Sequence, residues 1–191
     1  MFESPDEIEH LQRLLDESFS VAGPHMAEII TTERRLSAED MCARLQGMRL
    51  LSVATTTSDG RPLVGPVDGY FLHGSFFFSA GRESVKMRHL AMRPHISALH
   101  LPSEKLSIAV HGTAELFDVH SSAGDELRQA MLDHYLPTAG PDFETWLDDT
   151  DSLGARVAAE KMFTFYMDDS GTQHESPPPE GDGDSLRRGT L

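Results

Sequence analysis

Apolar positions recur at helical spacing near the start of the chain, where Ile8, Leu11, Leu15 and Phe19 fall on one face. Ser4-Pro5-Asp6-Glu7 precedes them with a capping serine, a proline at the first helical position and a glutamate to close a capping box. A helix therefore starts at Pro5. A second start is Ser37, with Asp40 three residues on, Met41 and Leu45 on the apolar face, and Gly47 as the stop. The two helices read as an N-terminal extension over 1–47 that leads into a sheet.

From Met48 the pattern changes to short β-rich runs between turn residues, and Asp59-Gly60 is a strong hairpin signal. Strands are predicted at 48–56, 61–66, 67–73 and 75–80, with His73-Gly74 as a tight turn. A helix follows at 82–92, then strands at 95–101 and 105–118. Such an antiparallel meander, interrupted once by a helix, closes best as a barrel or sandwich, because an open sheet would leave edges to protect. Beyond Val119, Ser121 or Ser122 caps a helix with Leu127, Met131 and Tyr135 on one stripe, stopped by Pro137. A short helix at Phe143–Leu147 and a closing strand at 160–167 complete the pattern. The fold class is mainly β with α additions (α+β): a barrel domain over 48–168 with a helical insertion at about 120–158. Residues 169–191 hold too few apolar groups to offset chain entropy and read as a disordered acidic tail.

Charge adds an asymmetry. The chain of 191 residues carries a net charge of -15, which repels phosphate backbones and anionic lipid surfaces, so neither nucleic acid nor membrane is an expected partner. Residues 49–105 run the other way, with seven bases and four acids. Arg82, Lys86, Arg88 and Arg93 crowd one stretch of that island, opposed only by Glu83. The cluster reads either as a local anion site or as a solvated helix face. One cysteine, Cys42, cannot form an internal disulfide, and the first residues show neither a basic nor an apolar signal region, so the expected location is cytoplasmic.

Two segments could carry chemistry. Pro62 and Pro66, four apart in an extended strand, delete donors from the same edge, so 62–66 is an edge or bulged strand. Gly65 between them leaves room for a ligand or another backbone, although prolines also serve simply to block edge pairing. The run from Ser79 through Gly81 and Arg82 to Ser84 and Lys86 passes from an apolar strand into a helix start. Backbone N–H groups there, with the Ser84 hydroxyl and the Lys86 ammonium, form a plausible phosphate cradle. The ten histidines show no metal-ligand spacing, so no metal site is expected. Cys42, beside Met41 and Leu45, reads as a packing residue.

The succession RLLSVATTTSDGRPLVGPVDGYFLHGSFFFSAGRESVKMRHLAMRPHISALHL, residues 49–101, resembles the pyridoxamine 5'-phosphate oxidase-like family of split β-barrel flavoproteins. The shared order is a strand with Ala-Thr, a DGRP turn, a strand with a second proline, an aromatic strand, then Ser-x-Lys with a following Leu and Arg-Pro. The resemblance runs on to Val119 and leaves both flanks unexplained. It implies an antiparallel split β-barrel and a homodimer, with FMN or its deazaflavin relative in a groove between subunits. Lys86 and Ser84 stand at the family's phosphate-binding positions, Ser79 near the cofactor, and Val64, Gly65 and Pro66 along the ring system. Arg82 joins this cofactor-binding set through the basic cluster. Gly65 departs from the vitamin B6 oxidases, which usually place an arginine near there, so the general flavin or deazaflavin branch is implied.

The leading expectation is an FMN-dependent oxidoreductase moving hydride to or from a small-molecule substrate, with no catalytic side chain assigned. The alternatives are a deazaflavin-dependent reductase and a non-catalytic flavin- or haem-binding module. In a haem protein, His100 or His111 would act as axial ligand.

Overall fold

The computed structural model describes residues 2–168, and the tail expected to be disordered lies outside the described residues. Six antiparallel strands close into a barrel: β1 (Met48–Thr56), β2 (Pro62–Leu72), β3 (Ser75–Gly81), β4 (His95–Ser103), β5 (Leu106–Asp118) and β6 (Ser152–Tyr166), in spatial order β1-β2-β3-β6-β5-β4. The helices are α1 (Pro5–Ser20), α2 (Pro24–Ile29), α3 (Ala38–Arg44), α4 (Val85–Met92), α5 (Asp125–Ala139) and α6 (Asp142–Asp149). The α+β class expected from the pattern is the class observed.

Local signals place the elements they were expected to place. Ser4 and Glu7 form a reciprocal capping box on α1, and Ser37 caps α3 by accepting the Asp40 N–H. Gly60 takes φ +85° in the β1–β2 turn, where Asp59 accepts from Thr57 and Arg61. Leu11 and Leu15 of α1, with Met41 and Cys42 of α3, pack into the same core as Phe71, Phe76, Phe78 and Val110 of the barrel. The N-terminal helices thus share the barrel's core. Burial pushes the Cys42 thiol up to about 12, with Glu3 adding to the effect, which leaves it an inert packing group.

Four expectations need correction. The strands predicted at 61–66 and 67–73 are one strand, β2, because the ladder with β1 runs unbroken from Thr56↔Pro62 to Met48↔Tyr70. The helix predicted from residue 82 begins at Val85, with Ser84 as its N-cap. Pro137 lies inside α5 instead of ending it; near the C-terminus its missing N–H costs only one bond. The closing strand begins at Ser152, eight residues before the predicted start, so the helical insertion ends at Asp149. The first half of β6 is small-residue sequence that reads poorly as strand, yet it must be small: a Cβ on Gly154 would lie 2.2 Å from the Phe117 ring. Helices α2 and the 3₁₀ turn at Thr32–Arg34 were not expected at all.

A second core lies outside the barrel. Outward-facing Tyr70 and Leu72 of β2 pack with Leu127, Met131 and Leu132 of α5 and Leu147 of α6. Helices α5 and α6 therefore roof the outer face of β2 and β3.

Candidate functional site: the open edge of β2

Strand β2 is paired on both sides only in its second half. It meets β1 throughout, whereas β3 joins it only from Gly69 to Leu72. The stretch from Pro62 to Asp68 consequently has a free edge, and the two prolines sit there, where a missing donor costs least. The inferred edge character of 62–66 is what the pairing shows.

Helix α4 packs against β1, β3 and β5, buries Met87 and Leu90 in the barrel core, and reaches the β2 edge through Lys86. Two polar side chains of α4, and Arg93 just after it, reach neighbouring strand: Lys86 Nζ donates to the Pro66 carbonyl at 3.0 Å, Arg93 Nε to the Thr56 carbonyl at 2.8 Å, and His89 Nδ1 meets Thr55 Oγ1 at 3.0 Å. Among the described residues Lys86 makes no ion pair, and partial burial holds its pKa below the ordinary lysine value. One neutral carbonyl uses one of its three N–H donors. A Cβ built on Gly65 would sit 3.7 Å from Nζ, so the missing side chain keeps the approach to the ammonium clear. Val64 beside it is 70% exposed, and Pro66 is exposed.

The structure brings Lys86, Gly65 and Pro66 together, with Val64 adjoining and Ser84 two residues before Lys86 as the N-cap of α4. The Ser84 hydroxyl accepts the Met87 N–H at 3.4 Å and retains its own proton to donate. Arg82 belongs elsewhere. Its guanidinium is held by Asp151 at 2.7 Å and Asp118 at 3.0 Å, pinning the ends of β5 and β6. Ser79, on the outer face of β3, donates to Met131 Sδ at 3.6 Å beneath α5. It faces a cavity with Asp68, Tyr70, Tyr135, Trp146 and Ser152, none of which the sequence singled out as site residues. The available signal was parity: Asp68 shares the outward face of β2 with Val64 and Pro66.

The histidines are engaged locally. His100 is buried, burial keeps it neutral, and its Nδ1 bonds the Leu50 carbonyl at 3.0 Å; His111 Nδ1 meets Ser97 Oγ at 2.8 Å. Among the described residues no three His, Cys, Asp or Glu side chains gather as a metal set, and no helix is long and apolar enough to cross a membrane.

No protein-family model matches the sequence, and no curated protein is a significant match. Solved structures do match by shape. The conserved hypothetical protein Rv2991 from Mycobacterium tuberculosis superposes with a TM-score of 0.58 at 17% identity, over 71% of this chain and 88% of that one. HutZ, the heme storage protein from Vibrio cholerae, gives 0.56 at 19% identity, over 69% and 97%. A putative pyridoxamine 5'-phosphate oxidase from Listeria innocua gives 0.52 at 12% identity, over 66% and 95%. With its six-stranded antiparallel barrel and these structural neighbours, the chain has the split-barrel fold of the pyridoxamine 5'-phosphate oxidase-like proteins.

Proposed function

We propose that the open edge of β2 holds the phosphate end of FMN and that the protein is an FMN-dependent oxidoreductase acting on a small molecule. The observation that carries this reading is Lys86: a partly buried ammonium with no counter-ion among the described residues, set against an unpaired strand edge at a helix start. An anion there would accept from the two remaining Lys86 N–H groups, from Ser84 Oγ and from the N-terminal amides of α4. Gly65 leaves space for it, and the exposed Val64 and Pro66 offer an apolar strip for a ring system. When bound, the flavin supplies the hydride chemistry; the chain's own residues bind it, orient it and limit water.

The site is completed, on this reading, by a second copy of the chain. Leu50 and Leu101 are 60% and 57% exposed and share an outward face of β1, β2 and β4 with Val64 and Pro66. An apolar face of this kind suits a dimer interface, and it borders the Lys86 edge. A deazaflavin coenzyme could use the same phosphate cradle. The likeness to a heme storage protein raises haem as the other occupant, with the His111 ring the more accessible of the two candidate ligands. The absorption spectrum of freshly purified protein distinguishes them: a flavin doublet is expected, whereas a single deazaflavin band or a Soret band would replace FMN in this assignment.

A further inference from the structure

Beneath the α5–α6 roof lies a cavity of about 390 Å³ with walls from β2, β3, β6 and both helices. One wall is aromatic. The Tyr135 and Phe143 ring centroids are 4.7 Å apart and those of Phe143 and Trp146 5.4 Å, with 33° between planes in each pair, so three rings form a tilted series. Asp68 adjoins this wall and accepts a hydrogen bond from the Tyr135 hydroxyl. Among the described lining residues Asp68 is the only carboxylate, and none is basic.

Tyr70 at 2% exposure and Ser152 at 4% also belong to this lining, and their buried hydroxyl oxygens have no hydrogen-bond partner among the described residues. Buried polar groups in native folds are ordinarily paired, and these two give the fold nothing that phenylalanine and alanine would not. Burial, reinforced by Tyr135 and Asp68, raises the Tyr70 pKa and keeps the phenol a neutral donor.

We infer that this cavity binds a planar aromatic molecule, neutral or cationic, that carries N–H or O–H groups. Its ring lies on the Tyr135–Phe143–Trp146 wall and its polar edge meets Asp68, Tyr70 and Ser152. A cation gains from the carboxylate, while an anion meets Asp68 with no base among the described lining residues to offset it. Asp68 is two residues from Pro66 along β2, roughly 7 Å, so the cavity adjoins the Lys86 edge. Naming the ligand as a substrate rests on the flavin reading above; the binding itself does not.

Trp146 is the chain's one tryptophan and reports from the cavity wall. Benzamidine, benzamide and benzoate form a matched planar set of cation, neutral molecule and anion, and each is titrated into the full chain up to roughly 10 mM, a range suited to fragment-sized ligands. Benzamidine and benzamide are expected to change Trp146 emission saturably, with benzamidine at least about tenfold tighter than benzoate. Asp68→Asn should reduce benzamidine to the benzamide level without altering benzamide. Tyr70→Phe and Ser152→Ala should each weaken benzamide about three- to tenfold while leaving Tm unchanged or raised, because each removes a hydroxyl unpaired in the free protein. Benzoate binding as tightly as benzamidine, no saturable response to any probe, or a fall in Tm with affinities unchanged would overturn the inference. The titrations are run with and without FMN. Probe binding without FMN binding refutes the flavin reading alone, and FMN binding without probe binding refutes this one alone.

Discussion

Replacing Lys86 by alanine separates a cofactor cradle from a solvated helix face. In the structure Nζ makes a single hydrogen bond, 3.0 Å to the Pro66 carbonyl, on an edge with no strand partner. Pro66 is exposed, so water replaces the ammonium once it is gone, and the loss to the fold is below about 1 kcal/mol. A phosphate is a different acceptor. A charge-assisted hydrogen bond contributes about 1.5–3 kcal/mol, which converts to roughly 10- to 100-fold in affinity. Lys86→Ala should therefore weaken FMN binding by that factor and leave Tm nearly unchanged. Arg88→Ala is the control: two residues on, it points from another side of α4, is exposed, and should cost less than about threefold. The assay is FMN fluorescence quenching on wild type and both variants at two salt concentrations. Equal affinities for all three would refute the cradle and leave the basic cluster as a solubility feature.

Val64→Glu places a charge in the exposed apolar face of β1, β2 and β4 and should convert a dimer to a 21 kDa monomer in light scattering; a wild type already monomeric at micromolar concentration sinks the dimer proposal. His73 joins α1 to α5, 2.9 Å from both Glu7 and Glu126; burial opposes its charge, but Glu126 and then Glu7 outweigh burial and hold the imidazole above its ordinary value. Its contribution to stability is accordingly full below the unfolded value of about 6.5 and disappears as pH rises through the raised folded value. Because His73 has φ +51°, the comparison is His73→Asn, which tolerates that backbone; the Tm gap between the two proteins should narrow from pH 6 to pH 8.5, and a constant gap contradicts the assignment. Gly112→Ala would place a Cβ 2.0 Å from the Ala158 carbonyl oxygen at the β5–β6 bulge, where backbone must move, and should lower stability by about 1–3 kcal/mol or more in urea unfolding.

What the sequence determined by itself is local. Ser4 and Ser37 cap helices through contacts three residues away, and Asp59-Gly60 sets the first hairpin through its own backbone, so those elements were legible one segment at a time. The proline pair likewise stated its own consequence, an edge with absent donors. The tertiary structure decided whatever depends on distant partners. Arg82 looks like an anion ligand in sequence, but Asp118 and Asp151, 36 and 69 residues away, take its charge. In the first half of β6, Gly154 breaks the strand-like texture, and it answers to the Phe117 ring on another strand. The cavity under α5 and α6 draws Asp68, Tyr70, Tyr135, Trp146 and Ser152 from four separate elements, and no spacing along the chain announces that they meet. Hydrogen-bonded caps and turns close within a few residues, whereas charge pairing, packing clearance and pocket walls are settled only when the barrel closes and its roof comes down.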